Sequence, residues 1–521
     1  MQNKTIKIFD TTLRDGEQAP GASMTKRDKI KIGLALDEAG IDVIEAGFAF
    51  ASKKDFEAIE EIAKNSQRAA ICSLARAKED DIVAAANSVS AAKNGRVHIF
   101  LATSDIHLEH KLHKTRPQLL EMLQKNISFA RSLIGDVEWS AEDATRTDLD
   151  FLTECVDAAI DSGATVINLP DTVGFTHPEE YRKMFEYVIK HAKRASEVTF
   201  SAHCHNDLGM ATANAIYALL GGATQVECTI NGIGERAGNV ALEEVMACIN
   251  VRKDILNFDI NFDTKKISEL SKMVSVATGF AVQKNKSVVG DNAFVHESGI
   301  HQDGILKNRS TYEVINPDDF GIYVASNVFL GKLSGRNALK QKFAEFGVEL
   351  DAEKLSELFA KFKVLAESKK FIVDADLMGL LNDEKIAVSP IVKFESHSVQ
   401  DSTKENELLD EDAEKITKVV ASIVVRGKHY HEIGVGNGQI DAILTAINKV
   451  LDLKIHLADY GLQAVSSGTD AKACCKISAE HNGVTYYGSS VNTDIIVASV
   501  NAYIEVCNKI LTKEDENEGK A

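Results

Sequence analysis

The feature that most constrains this chain is an eightfold alternation in its first half. Short apolar runs alternate with longer segments whose apolar residues fall at helical spacing. The runs are "IKIFDTTL", "IDVIEAG", "RAAICSLA", "RVHIFLAT", "DVEWSAED", "TVINLPDT", "VTFSAHCHND" and "TQVECTING". Between them lie stretches such as "TKRDKIKIGLALDEAG" and "LDFLTECVDAAIDSGA", closed by a helix-stopping residue. Eight strand–helix units over about 265 residues match a (β/α)₈ TIM barrel. A doubly wound sheet is the alternative, but it usually has fewer strands.

Beyond the repeats the pattern changes twice. From 269 to 387 it is mainly helical, as in "DTKKISELSKMVSVATGFA", which leads into it, and "AEKLSELFAKFKVLAESKK", so a helical linker subdomain is expected there. From 388 to 515 strand-like runs return: "PIVKFESHSV", "ITKVVASIVVRG", "KIHLADYGLQAV" and "AKACCKISAEH". Two helical stretches, "DAILTAINKVL" and "DIIVASVNAYI", place Asp441 and Asp494, and Asn448 and Asn501, 53 residues apart, an internal duplication in an α+β domain. The expected domains are therefore 1–268, 269–387 and 388–515, with 516–521 a disordered tail. The formal net charge of −18 speaks against a general nucleic-acid surface. No apolar run is long enough to span a membrane, and the N-terminus has no signal-peptide core. The eight cysteines include no CxxC pair and read as reduced thiols of a cytoplasmic protein.

The first run ends in polar residues that are hard to bury: Asp10, Thr11, Thr12, Arg14 and Asp15. In a (β/α)₈ barrel the site lies at the C-terminal ends of the strands. Those ends carry Arg14 and Asp15, Glu45, Leu74, His98, Ser140 and Glu142, Asp171 and Thr172, and His203 and His205. The loop "NGIGERAGN" adds Glu235, Arg236 and Asn239. In "HCH", residues two apart on a strand share a face roughly 6–7 Å apart, so both imidazoles can converge on one metal ion. With a carboxylate and an amide oxygen this is a mixed N/O site, suited to Mn²⁺, Zn²⁺ or Mg²⁺. A bidentate 2-oxo acid could fill the remaining coordination positions. "GIGERAG" mimics a dinucleotide fingerprint, but its glycine spacing and its place in the eighth unit favour a tight turn presenting side chains.

The stretches "DTTLRDGEQAPG", "SAEDATRTD", "LPDTVGFT", "AHCHNDLGMATANA", "NGIGERAGN" and "SGIHQDGILKNRSTYE" together resemble the 2-isopropylmalate synthase family, part of a wider group with homocitrate, citramalate and methylthioalkylmalate synthases. The resemblance covers nearly the whole chain. It implies a divalent metal, Mn²⁺ first with Mg²⁺ or Zn²⁺ as alternatives, held by Asp15, His203, His205 and Asn239. It assigns Arg14 to polarising a keto oxygen, Thr172 to the keto acid's carboxylate, and Glu142, His301 and Tyr312 to proton transfer. Leu74, His98 and Ser140 would line the pocket for the keto acid's side chain, where no extra Arg or Lys stands to pair a second carboxylate. The implied reaction condenses acetyl-CoA with 2-oxoisovalerate; the alternatives are pyruvate as acceptor, or a metal-dependent acyl-CoA lyase or aldolase. A homodimer and leucine inhibition through the C-terminal domain are implied as well. His301 lies outside the barrel repeats, so its segment must reach the barrel mouth, in its own subunit or a partner's.

Overall fold

The computed structural model describes residues 4–322, 330–346, 348–368, 391–401, 417–464 and 472–518, together with Ile372, Leu377 and Leu380. All eight apolar runs form strands: β1 (Lys7–Asp10), β2 (Val43–Gly47), β3 (Ala70–Arg76), β4 (Gly95–Ala102), β5 (Asp136–Glu142), β6 (Val166–Asn168), β7 (Thr199–His203) and β8 (Gln225–Cys228). They close a parallel barrel, in which β1 pairs with both β2 and β8. β6 is short because Pro170 follows it and has no N–H to offer the ladder. Asp171 and Thr172 therefore stand on a loop beyond the strand.

Helix α1 (Lys26–Ala39) and helix α2 (Lys53–Asn65) show why the crossovers are helical. Thr25 and Ser52 cap them by accepting from Asp28 N and Asp55 N, and α1 stops at Gly40 in the left-handed region. On α2 the buried face is Ala58, Ile59, Ile62 and Ala63, while its lysines and glutamates point outward. Outward-facing strand residues such as Ile8, Ile44, Ile71, Val97 and Ile167 pack under the helices in the main core. Burying each such side chain contributes about 1.5–3 kcal/mol. Inside the barrel only a small apolar plug, Phe9, Val43 and Cys72, forms a separate cluster.

The chain divides into two compact units at residues 329 and 330. This division falls within the helical stretch 269–387. Its first part, with Leu270, Val288 and Phe320 buried, joins the core of the barrel unit. In the second unit two helices, Arg336–Glu345 and Ala352–Ser368, precede a duplicated structure. Strands β9 (Val392–Asp401), β10 (Thr417–Val425) and β11 (Lys428–Gly436) form one antiparallel sheet, followed by helix α3 (Gln439–Leu451). Strands β12 (His456–Ala464), β13 (Ala473–His481) and β14 (Val484–Asn492) form the other, followed by helix α4 (Ile495–Glu518). The expected boundary at 387/388 lies outside the described residues. The last helix reaches Glu518, so the start of the expected tail is helical, and 519–521 lie outside the described residues. By length and composition the 21-residue stretch Ile495–Asp515 could cross a membrane, yet half of it is buried inside its unit, as in a core helix.

Candidate active site

The polar burst after β1 is held by hydrogen bonds. Asp10 accepts from both the N–H and the hydroxyl of Thr12, at 2.9 Å each, and Thr12 Oγ1 accepts from Ile230 N at 2.8 Å. The loop after β1 is thereby tied to the loop after β8. Arg14 follows with its guanidinium between two carboxylates: Nε lies 2.6 Å from Glu45 Oε2 and Nη1 3.0 Å from Asp15 Oδ2. Glu45 is fully buried and also accepts from Thr11 Oγ1 (2.7 Å). Burial alone would raise its pKa, but Arg14 and His98 outweigh that and hold it at about 2. Asp15 is likewise kept ionised: Arg14, then His203 and His205, overcome the cost of burial. Glu17, beside them in sequence, turns away to pair with buried Lys29 at 2.8 Å.

Asp15 faces the two histidines of "HCH". Its Oδ2 lies 3.4 Å from His203 Nε2 and 3.9 Å from His205 Nε2, and the two Nε2 atoms are 3.3 Å apart. His203 ends β7, and His205, just beyond, bridges to Asn239 across a short antiparallel contact. Burial, reinforced by His203, lowers the pKa of His205 to about 4, so it presents a neutral imidazole. Asn239 gives its Nδ2 to Ile233 O (3.1 Å), while its buried Oδ1 has no hydrogen-bond partner among the described residues. An orphaned amide oxygen, a carboxylate and two converging ring nitrogens fit a divalent cation of the N/O-ligated kind.

His98 and Ser140 are linked to this centre through Glu45 and Arg14. His98 Nδ1 lies 2.7 Å from Glu45 Oε1 and its Nε2 2.6 Å from Ser140 Oγ, which also accepts from Asn168 Nδ2 at 2.8 Å. Leu74 is buried opposite His98 in register on β3. Glu142, at the end of β5, takes Lys111 Nζ at 2.5 Å. Thr172 Oγ1 accepts from Asp143 N (2.9 Å), leaving its hydroxyl proton free to be donated. Arg236 reaches across to Asp207 and Thr172 O. His301 and Tyr312 form a pair of their own, rings 4.2 Å apart, with His296 6.2 Å from His301. No hydrogen bond or ion pair joins that pair to the Asp15–His203–His205 cluster among the described residues.

Several residues of this site have no counterpart in the sequence reading. Glu227 supports His203, Asn168 supports Ser140, and Asp143 supports Thr172 while accepting from Ser104 and Arg146. Asp143 does so from a left-handed backbone conformation, φ 65°. For Glu227 a signal existed: Gln225 and Glu227, two apart on β8, put polar groups on one strand face.

A closed parallel barrel whose C-terminal rim joins such a donor set to a buried arginine defines a divalent-metal barrel enzyme. Residues 5–274 match the family model described as HMGL-like, 288–370 that of the homocitrate synthase post-HMGL domain, and 371–511 that of the LeuA allosteric (dimerisation) domain. The chain is 45% identical over 98% of its length to a 2-isopropylmalate synthase of Nitrobacter winogradskyi, covering 96% of that protein. It is 46% identical to those of Methylorubrum populi (97% and 95% covered) and Aquifex aeolicus (98% and 96%). It belongs to the 2-isopropylmalate synthase family.

Proposed function

We propose that this protein is a 2-isopropylmalate synthase, condensing acetyl-CoA with 3-methyl-2-oxobutanoate (2-oxoisovalerate) in the first committed step of leucine biosynthesis in the cytoplasm. The observation that carries the proposal is the convergence of Asp15, His203 and His205 beside Arg14, with Asn239 bridged to His205, in a chain that matches such synthases over nearly its whole length. A base takes a proton from the acetyl methyl group, and that carbon attacks C2 of the keto acid. The C2 oxygen then takes up a proton, and water cleaves the thioester, releasing CoA and 2-isopropylmalate. A divalent ion held by the four ligands, Mn²⁺ by preference, supplies Lewis-acid polarisation of the keto group. Arg14 spends two of its five N–H donors on Glu45 and Asp15, and donates from the rest to the C2 oxygen as charge develops there. Thr172 holds the keto acid's carboxylate. Glu142, His301 and Tyr312 carry the proton transfers, the latter two brought to the mouth in the homodimer. Leu74 and the His98–Ser140 pair shape a slot for a short branched side chain.

The C-terminal domain takes leucine as the inhibitor in this reading. Of the two helix starts open to an amino acid's carboxylate, that of α4 is capped from within, since Asp494 Oδ1 accepts from Ile496 N and Val497 N. Helix α3 starts on Gly438 with no side-chain cap, so we assign the carboxylate to α3. The test of the whole proposal is CoA release from acetyl-CoA with 2-oxoisovalerate, pyruvate or 2-oxoglutarate. The highest kcat/KM is expected with 2-oxoisovalerate, because a slot filled by isopropyl binds a methyl less well by about 1–3 kcal/mol per lost methylene. A higher value with pyruvate turns the assignment to citramalate synthase, and release that needs no 2-oxo acid overturns it.

A further inference from the structure

The middle of the barrel is polar, and the proposed reaction does not use it. Such interiors are usually filled by bulky branched side chains. Here Glu227, buried on β8, lies with Oε2 2.9 Å from His203 Nδ1 and accepts from Ser201 Oγ (3.1 Å) through Oε1. Ser201 Oγ accepts from Gln225 Nε2 (3.0 Å), which also donates to Glu138 Oε1 (3.0 Å). Arg96 closes the far end, donating from Nη1 to Glu138 Oε2 (3.0 Å) and Gln225 Oε1 (3.1 Å) and from Nε to Asp136 Oδ2 (2.9 Å). Buried polar groups are costly unless bonded, and in this column each is held by the next.

The consequence falls on His203. Nδ1 is the ring nitrogen held against the Glu227 carboxylate, and Nε2 is turned away from it. That Nε2 is the atom facing Asp15 and His205. His205 differs: its Nδ1 is buried with no partner among the described residues. We propose that Glu227 is the positioning residue of the metal centre, fixing the tautomer and ring plane of His203, and that the column from Ser201 to Arg96 fixes Glu227. The inference rests on the reading of Asp15, His203, His205 and Asn239 as the metal ligands.

The test uses the full-length enzyme, stripped with a chelator, then titrated with Mn²⁺ by calorimetry and with Co²⁺ by visible absorption. His203→Ala is expected to lose binding; if it binds Mn²⁺ normally, the ligand reading fails and this inference with it. Glu227→Gln keeps the volume but removes the charge, and its amide can donate to Nδ1 and admit the other tautomer. Its Mn²⁺ affinity should fall about 10–100-fold and its Co²⁺ spectrum should shift, while the metal-free protein unfolds as wild type does. Wild-type affinity and spectrum in Glu227→Gln, with binding lost in His203→Ala, overturn the inference. Should Glu227→Gln not fold, Ser201→Ala decides, since it removes one donor to Glu227 and leaves the carboxylate. A weaker affinity in that variant supports the positioning role, and an unchanged affinity and spectrum overturn it.

Discussion

At the scale of single residues, Asp10 is a carboxyl placed where ionisation is costly. It is fully buried, and burial raises its pKa to about 7 against the pull of its two hydrogen bonds from Thr12; Glu243 and Glu45 add to the rise. The unfolded chain releases that proton near the ordinary value of 3.8. Between about pH 4 and 7 the folded state therefore holds a proton that the unfolded state has lost, and this contribution to stability falls as pH rises. Asp10→Asn should remove it. Urea unfolding should show wild type losing stability relative to Asp10→Asn as pH rises from about 4.5 to 7, by at most about 1.4 kcal/mol per pH unit. A difference that stays flat across that range would show that Asp10 does not titrate this way. The proposed metal residues were legible at this scale because strand alternation puts His203 and His205 on one face. Glu45 was legible as a strand-end group, but its pairing with His98, and that of Glu227 with His203, was not, because a carboxylate in a strand carries no local mark of the histidine it will meet.

At the scale of elements, the duplicated domain holds two strands that the apolar pattern does not reveal, β11 and β14. The reason lies in their burial. In each, one residue alone is fully buried, and it is a glycine: Gly434 in β11 and Gly488 in β14. With no buried apolar side chain, these segments read as polar lead-ins to a helix. The glycines let the helices close on the sheets. A Cβ on Gly434 would lie 1.8 Å from Ala442 O, and one on Gly488 2.0 Å from Ala502 O. Gly434→Ala or Gly488→Ala should destabilise the C-terminal unit by about 1–3 kcal/mol or more, seen by calorimetry as a lowered transition, while Mn²⁺ affinity at the barrel is retained. A wild-type transition temperature in both variants would mean that the helix–sheet distance is not set by these positions.

At the scale of the whole molecule, regulation needs leucine to bind two states of the enzyme with different affinity. The proposed catalytic residues all precede 388, and the duplicated sheets all follow it. A chain ending at residue 387 should keep measurable CoA release with 2-oxoisovalerate and lose its inhibition by leucine. Leucine sensitivity in the folded, truncated enzyme, or an intact enzyme indifferent to leucine, would refute the assignment of regulation to this domain.

The eight-stranded barrel was decided within the sequence itself, since each strand–helix unit carries its own periodicity and several of the helices their own caps. So was the place of Arg14, Asp15, His98 and His203 at the barrel rim, because strand ends are local features and the barrel sends all of them to one face. The division into units was decided only in three dimensions: Val288 and Phe320 join the barrel core through contacts that no local pattern announces. The same holds for the polar column under His203. Arg96, Glu138, Gln225 and Glu227 come from three strands, and each is tolerable in the interior only because barrel closure brings its partner within hydrogen-bond distance.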